Sequence, residues 1–339
     1  MRVPRLVIAA TGIALAVGMT HVDRAYAQGQ QMTAYAGSVG GLYMEVMSIW
    51  VSDWERDIDG LNVSAVSGGG TTNPFHVSRG DPNGTIGITD SITTADAMQG
   101  EGDIGSRAPD GLTNLRALVR LNALSHSAFM IRGSRLPEGV TTVGELLERE
   151  PSLRWAFLQR GNPGEMTGRR VLEQYDVSLD DLSAWGGRVS FNPQGEHSSL
   201  MIDGHVDVSM VMTRAPAAFM LDIDASVRDL VWLPIDEHIV DQMMEQYGGY
   251  IKVDHPAEFY DTLKEPFPTA SVDHVLFVHE DMDEELAYGL TKSVLENADR
   301  MRSSLTSMSE FDPAVVCRDT GEFELHPGAE RACSELGHL

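Results

Sequence analysis

The stretch Thr33-Ala-Tyr-Ala-Gly-Ser-Val-Gly-Gly-Leu-Tyr43-Met-Glu-Val-Met-Ser-Ile-Trp50 predicts a short strand, a glycine-rich turn and an amphipathic helix. Gly37, Gly40 and Gly41 permit backbone angles that side chains forbid. Ser38 can cap the helix, whose first N–H groups lack internal partners. A strand, a tight turn and a free helix N-terminus together form a potential binding site for a small anion. The spacing is not G-x-G-x-x-G and no phosphate-loop lysine follows, so an ordinary strand-to-helix turn remains the alternative.

Residues 1–27 have the features of a secretory signal peptide. Arg2 and Arg5 form a basic start, residues 6–19 are apolar, and Ala25-Tyr-Ala27 is a small-x-small cleavage site. The apolar core is too short for a confident membrane span, and no later run is apolar enough to cross a bilayer. We expect cleavage after Ala27 and a periplasmic protein without a stable membrane anchor.

Composition narrows the possible partners. The 339-residue chain carries a net charge of −25 at pH 7, which disfavours nucleic acid and anionic membranes. A helix terminus or an arginine can still make the electrostatic potential inside a cleft positive, so an anionic ligand is compatible with this net charge. The length is sufficient for two lobes of ordinary size.

Cys317 and Cys333 are the only cysteines. In an exported protein such a pair most often forms a disulfide, here one that closes a loop near the C-terminus. Two reduced thiols that bind a metal are the alternative.

Strand-turn-helix units recur along the first part of the chain. Residues 61–66 alternate like a strand and lead into the turn 67–73, and the strand 85–89 leads into Asp90 and a helix start. Three such units in a row favour a parallel sheet with helices packed on it. Ligands bind beyond the carboxyl ends of such strands, where all three polar turns lie.

A second α/β set follows, with a strand at 153–158, a polar turn at 159–164 and a helix at 165–175. The late strand 272–278 has the length and apolar character to pair with 128–132 and return the chain to the first lobe. The predicted division is a first lobe of residues 28–131 plus 275–339 and a second lobe of residues 132–274.

Catalytic motifs are missing from the sequence. The histidines form no H-E-x-x-H spacing and there is no G-x-S-x-G nucleophile elbow. We therefore predict a protein that is not an enzyme, with no catalytic residues, metal site or cofactor.

From about Met32 to Pro313 the chain resembles the TAXI-type solute-binding proteins of tripartite ATP-independent periplasmic (TRAP) transporters. The segments that carry the resemblance are Gly37-Ser-Val-Gly-Gly-Leu-Tyr43, Ser67-Gly-Gly-Gly-Thr-Thr-Asn73, Ile86-Gly-Ile-Thr-Asp90, Gln159-Arg-Gly-Asn-Pro-Gly-Glu165 and Ile202-Asp-Gly-His-Val-Asp207. Two regions depart from the family pattern. Asn-Pro-Gly-Glu at 162–165 replaces a hydroxyl-rich turn, and 248–260 follows the tyrosine-bearing region only loosely.

The resemblance implies a type II-like periplasmic-binding-protein fold. Each α/β lobe would be a mainly parallel sheet flanked by helices, and two hinge strands would join the lobes. The lobes would close on a small carboxylate, such as glutamate or a dicarboxylate, for delivery to TRAP membrane permease subunits. Two alternatives are an orphan receptor that reports to a membrane sensor kinase and an exported α/β hydrolase.

The predicted ligand-binding residues lie on post-strand turns and in the tyrosine-bearing region: Gly37, Ser38, Tyr43, Gly70, Thr71, Asn73, Asp90, Arg160, Asn162, Glu165, Tyr250 and Tyr260. Arg160 is the expected carboxylate clamp, because a planar guanidinium pairs with a carboxylate through two parallel bonds. A surface salt bridge with Glu165 is the alternative for Arg160, and core packing is the alternative for the two tyrosines.

Overall fold

The computed structural model describes residues 29–318 and 320–339. The predicted signal peptide, residues 1–27, lies outside the described residues. The strands are β1 Gln30–Tyr35, β2 Leu61–Val66, β3 Thr85–Asp90, β4 Leu115–Arg120, β5 Ser125–Arg132, β6 Arg154–Leu158, β7 Arg188–Asn192, β8 Val208–Thr213, β9 Leu230–Leu233, β10 Ile251–His255, β11 Phe267–Val272 and β12 His274–His279.

The helices are α1 Leu42–Asp57, α2 Asn73–Arg79, α3 Ser91–Gln99, α4 Gly102–Gly105, α5 Val143–Leu147, α6 Pro163–Gln174, α7 Leu179–Ala184, α8 His197–Ile202, α9 Ala218–Ser226, α10 Glu237–Gln246, α11 Glu284–Glu296, α12 Ala298–Ser304, α13 Pro313–Val316 and α14 Pro327–Glu335. Short 3-10 turns cover Gly133–Arg135, Gln194–Glu196 and Thr306–Met308.

The first lobe is built on a sheet of strand order β2-β1-β3-β12-β4. Strand β1 runs parallel to β2 and β3, whereas β12 runs antiparallel to β3 and β4. Helix α1 covers this sheet with Trp50 and Trp54, which are fully buried. The Trp54 indole N–H also donates to the carbonyl of Leu290 in α11, at 3.1 Å. The amphipathic helix predicted after the glycine turn is confirmed.

The second lobe is built on a sheet of order β10-β11-β5-β8-β6-β7, with β9 paired to β5. Strand β6 is parallel to β7 and β8, and the remaining pairings are antiparallel. Both sheets are thus mixed, and each is flanked by helices. The predicted two-lobed α/β fold is confirmed, but the prediction that each sheet is mainly parallel was wrong, because parallel and antiparallel pairings are equal in number in the first sheet and antiparallel ones predominate in the second.

The predicted pairing of 128–132 with 272–278 was wrong. Strand β5 pairs with β8, β9 and β11 in the second sheet, whereas β12 pairs with β3 and β4 in the first. Apolar runs identify buried strands, but they carry no information on which other buried strand is the neighbour. The lobe boundaries at 131 and 275 stay a prediction, but β5 belongs to the second sheet along its whole length.

The chain crosses between the sheets at two adjacent places, after β4 and after β11. Asp273 holds the two crossings together: its carboxylate accepts from the backbone N–H of Ala123 at 3.2 Å and pairs with Arg120 at 2.6 Å. Its carbonyl accepts from the N–H of Ser91 at 2.9 Å. These bonds define the pivot between the lobes.

The predicted disulfide between Cys317 and Cys333 is confirmed, with the sulfur atoms 2.08 Å apart and 16 residues separating the two positions. Both cysteines are buried in the first-lobe core, where they join α13 to α14.

We expect replacement of both Cys317 and Cys333 by alanine to lower the free energy of unfolding by about 3 kcal/mol, because the unfolded chain regains the freedom of a loop of this length. Urea unfolding of the variant and of the wild type checks this. The wild type in excess reductant is the control and should match the variant. Equal midpoints for oxidised and reduced wild type would contradict the prediction.

Candidate functional site

A cavity lies between the lobes at the carboxyl ends of the central strands. It contains about 380 Å³ of empty space, including its open mouth. We call it the cleft cavity, and it is lined by Gly37, Ser38, Gly41, Leu42, Tyr43, Ser125, Asn162, Pro163, Gly164, Gln194, Met212, Thr213, Val272 and His274. None of these lining residues is Asp, Glu, Lys or Arg, so the cleft cavity is uncharged at neutral pH apart from any protonation of His274.

The wall contributed by the first lobe is the glycine turn after β1 and the start of α1. Gly41 occupies the N-cap position of α1 and has no side chain with which to cap it. The first N–H groups of α1 therefore lack a side-chain partner at the edge of the cavity. The N-terminal end of a helix carries a partial positive charge, which favours an anion at this point.

The wall contributed by the second lobe is the start of α6. Asn162 caps this helix by accepting from the N–H of Gly164 at 2.8 Å. Its amide nitrogen reaches across the cleft and donates to the Ser38 hydroxyl at 3.4 Å. Two helix N-termini, one from each lobe, thus meet at the cleft cavity.

Gln194 supplies a buried polar group at the edge of the cavity. Its side chain is 5% exposed and lines the cleft cavity. Its amide nitrogen, Nε2, is buried and has no hydrogen-bond partner among the described residues. A buried donor without an acceptor is destabilising.

His274 forms the floor of the cavity near the pivot. Its Nδ1 lies 2.8 Å from the Tyr43 hydroxyl and its Nε2 lies 2.7 Å from the Ser125 hydroxyl. Burial lowers the pKa of His274 to about 4 and is the main cause of a Tyr43 pKa well above its usual value. Both rings are therefore neutral at physiological pH, and the floor offers hydrogen bonds without a fixed charge.

The lobes are in contact around the cavity. The N–H of Thr71 donates to the carbonyl of Gly161 across the cleft at 3.2 Å. A Cβ atom at Gly69 would lie 2.3 Å from the carbonyl oxygen of Gly161, so only glycine allows this approach. Farther out, Arg170 of α6 forms a buried ion pair with Asp96 of α3 at 2.7 Å. The structure is thus a closed conformation.

Several predicted site residues meet at the cleft cavity, namely Gly37, Ser38, Tyr43 and Asn162. Gly70 and Thr71 lie in the contact between the lobes, where a Cβ atom at Gly70 would lie 2.4 Å from the Pro163 ring.

Asn73 and Asp90 are fully buried next to the cavity and have structural partners. The Asn73 amide donates to the carbonyls of Tyr35, Ala36 and Ile88, so it joins β1 to β3. Asp90 caps α3 by accepting from the N–H of Thr93 at 2.9 Å.

The structure does not bring Arg160 to the cleft cavity. Its side chain is 67% exposed, its guanidinium stacks 4.1 Å from the centre of the Phe191 ring, and it lies 3.6 Å from Glu165. Glu165 itself pairs with Arg169 at 2.9 Å. The turn 159–164 directs Arg160 to the outer side of α6, so the surface salt bridge describes this residue better than the carboxylate clamp.

The two tyrosines also have partners elsewhere. The Tyr250 hydroxyl bonds to Thr167 at 2.9 Å behind α6, and the Tyr260 ring packs 4.8 Å from Trp232 inside the second lobe. Neither lines the cleft cavity.

Sequence reasoning missed four polar residues that line the cavity: Ser125, Gln194, Thr213 and His274. Ser125 and His274 begin strands on either side of the pivot, so their proximity depends on the strand pairing that was predicted incorrectly. Thr213 is the last residue of β8. Its position after an apolar run is the feature of the sequence that could have identified it as a cavity residue. Gln194 stands in a short 3-10 turn without a recognisable pattern.

Neither a metal-binding cluster nor a membrane-spanning helix occurs in the described residues, 29–318 and 320–339. In that part of the chain no group of three or more His, Cys, Asp or Glu side chains could hold a metal ion. No helix there is long and apolar enough to cross a membrane.

Comparison of the sequence with protein families gives a match over residues 35–337 to the NMT1-like family. The chain belongs to the NMT1-like family. No curated protein sequence matches it significantly.

Solved structures share the fold of this NMT1-like protein. MatC from Rhodopseudomonas palustris with bound malate has a TM-score of 0.54 at 12% identity, covering 90% of this chain and 97% of that one. PhnD1 from Prochlorococcus marinus in complex with methylphosphonate has a TM-score of 0.52 at 10% identity, with coverages of 92% and 100%. The periplasmic binding protein BugD has a TM-score of 0.52 at 12% identity, with coverages of 82% and 86%. The fold of this NMT1-like protein is that of periplasmic binding proteins.

The buried carboxyl group of Asp90 is expected to make the stability of this NMT1-like protein depend on pH. Burial is the main cause that raises its pKa from 3.8 to about 6. The folded state therefore holds this proton more tightly than the unfolded state does, and the ionised carboxylate destabilises the fold as the pH rises through that window. We expect Asp90→Asn, which can still cap α3, to be more stable than wild type by on the order of 2 kcal/mol at pH 7.

Urea unfolding between pH 4 and 8 checks this, and the advantage of Asp90→Asn should vanish near pH 4. The matched control is Asp181→Asn, because hydrogen bonds from Ser178 lower the pKa of Asp181 and the expected effect at pH 7 has the opposite sign. Destabilisation of Asp90→Asn by the same amount at every pH would contradict the prediction.

Proposed function

We propose that this protein is a periplasmic solute-binding protein that holds a small carboxylate in the cleft cavity. The observation that carries the proposal is the buried Gln194 amide, an unused donor in a cavity where two helix N-termini converge. Carboxylates are recognised by preorganised donors of this kind. The absence of acidic side chains from the lining supports the same conclusion, because the rest of the chain is strongly acidic.

The main competing function is hydrolysis, because Ser125 and His274 stand 2.7 Å apart in the cavity. A serine nucleophile needs an imidazole base that is oriented by a third group, usually a carboxylate. Here the other ring nitrogen of His274 faces the Tyr43 hydroxyl, and burial lowers the pKa of His274 to about 4. An imidazole of that pKa is a poor base at neutral pH, so this pair favours binding over catalysis.

We further propose that the ligand is an amino acid such as glutamate or a dicarboxylate, that the protein acts as a TAXI-type receptor, and that it delivers the ligand to a TRAP permease. Two solved structures of the same fold support an anionic ligand, since their bound molecules are malate and methylphosphonate. Uptake of the labelled ligand by cells with and without this protein tests delivery. Unchanged uptake together with an altered transcriptional response would favour a receptor for a membrane sensor kinase.

A thermal-shift screen tests binding. We expect small carboxylates to raise the melting temperature, because a ligand at 100 times its dissociation constant stabilises the native state by about 2.7 kcal/mol. Neutral sugars and organic cations of similar size are the controls and should have no effect. A screen in which no carboxylate or amino acid shifts the melting temperature would refute the proposed function.

Gln194→Ala tests the position of the ligand. We expect it to weaken carboxylate binding by about tenfold, the effect of one hydrogen bond to a charged group. Arg160→Ala is the matched control, because Arg160 belongs to the same lobe but lies outside the cavity, and it should change the affinity less than twofold. Isothermal titration calorimetry measures both. A larger loss of affinity in Arg160→Ala than in Gln194→Ala would place the ligand at the outer side of α6 instead.

A further inference from the structure

A second cavity between the lobes adjoins the cleft cavity. It contains about 770 Å³ of empty space, part of it open to solvent. We call it the Arg214 groove, and its lining includes Gly40, Glu45, Arg214, Leu221 and Ser307. Leu42 and Thr213 line both cavities. The groove therefore lies directly beside the place where the two helix N-termini meet.

Arg214 is the only cation that lines the groove. It directly follows β8, and its side chain is 12% exposed. The ion-pair partner of Arg214 is Glu310 of the first lobe, at 3.4 Å, and the Glu310 side chain is 81% exposed. The Nε atom of Arg214 is buried and has no hydrogen-bond partner among the described residues. A mostly buried guanidinium is thus left with one long, solvent-screened ion pair, which contributes little.

The charge of Arg214 acts on the cleft cavity itself. Burial is the main cause of the lowered pKa values of His274, in the cavity floor, and of His126. Arg214 lowers both pKa values further, whereas Asp273 raises that of His274. Burial lowers the pKa of Arg214, whereas the carboxylates of Glu310 and Asp273 raise it. Arg214 is therefore close enough to act on the cavity floor, and its ion pair among the described residues is the long one with Glu310.

The groove also contains a carboxyl group. Glu45 lies in the first turn of α1 and lines the groove, and burial raises its pKa. It is not among the groups that shift the pKa of Arg214. Among the described residues the ion pair of Arg214 is with Glu310, so Glu45 does not occupy its guanidinium.

We propose that Arg214 is a specificity-determining residue that binds a second carboxylate of the ligand. The first carboxylate lies at the N-termini of α1 and α6, and the second lies in the Arg214 groove. The substrate class is then the dicarboxylates. This inference rests on the proposed function, because it adds a second anionic group to the ligand of the same site.

The competing explanation is that Arg214 and Glu310 only hold the lobes together. They belong to different lobes, so their ion pair would stabilise the closed state for any ligand. A variant of Glu310 separates the two explanations. Removing Glu310 abolishes the ion pair but leaves the guanidinium free for a ligand carboxylate.

The experiment measures dissociation constants by calorimetry for glutarate and succinate and for the monocarboxylates of the same chain lengths, valerate and butyrate. The proteins are the wild type, Arg214→Gln, Arg214→Lys and Glu310→Gln, each checked for native circular dichroism. We expect Arg214→Gln to weaken dicarboxylate binding by about tenfold to a hundredfold and monocarboxylate binding by less than about twofold. Arg214→Lys should keep part of the preference, and Glu310→Gln should bind dicarboxylates as tightly as the wild type or more tightly.

Other outcomes overturn the inference in distinguishable ways. Equal losses for both ligand classes in Arg214→Gln, reproduced by Glu310→Gln, would show that the ion pair only closes the lobes. A wild type that binds monocarboxylates as tightly as dicarboxylates would refute the second anionic subsite and leave the proposed function intact. A wild type that binds none of these four acids, and that no carboxylate or amino acid stabilises in the thermal-shift screen, would refute the proposed function and this inference with it.

Discussion

The meeting of two helix N-termini across the cleft is the constraint on which the rest of this structure depends. Helices α1 and α6 begin at polar turns that follow parallel strands, so both present the positive ends of their dipoles to the same space. Neither first turn finds partners across the gap, apart from the long contact between Asn162 and Ser38. The two helix ends therefore place partial positive charge at the site although the chain as a whole is acidic, and no lining residue of the cleft cavity is an Asp, Glu, Lys or Arg.

The lobes come into close contact because glycines along the cleft have no side chains to keep the opposing backbones apart. Gly69 and Gly161 approach so closely that a Cβ atom on Gly69 would collide, and a Cβ atom on Gly40 would lie in a tight contact, 3.0 Å from the Cα atom of Gly195. The glycine turns thus have two physical roles, since they shape the start of each helix and let the opposing turns touch. The pivot at Asp273 lies at the other end of the cleft, where backbone hydrogen bonds hold the two crossings together. Gln194 of the second lobe and His274 near the pivot line the same cavity.

The parts of the fold that depend on local pattern could be predicted from the sequence. The strand, glycine turn and helix at 33–50 follow from glycine freedom and helical spacing, and the disulfide follows from two cysteines in an exported chain. Long-range pairing could not be predicted, because the apolar runs of β5 and β12 fit several neighbours equally well. The same limit applies to the site. Ser38 and Asn162 were found because they follow strands directly, whereas Gln194 and His274 reach the cavity only through the assembled fold. Arg160 has the right chemistry, but the turn before α6 directs it outward.

A crystal structure of the protein with the acid that gives the largest thermal shift tests the central claim most directly. The account predicts one carboxylate with its oxygens about 3 Å from the first N–H groups of α1 and from the Gln194 amide nitrogen, a normal hydrogen-bond distance. It also predicts the same contact between Thr71 and Gly161 across the closed cleft. A ligand bound outside the cleft cavity, with the Gln194 amide still unpartnered, would contradict the account.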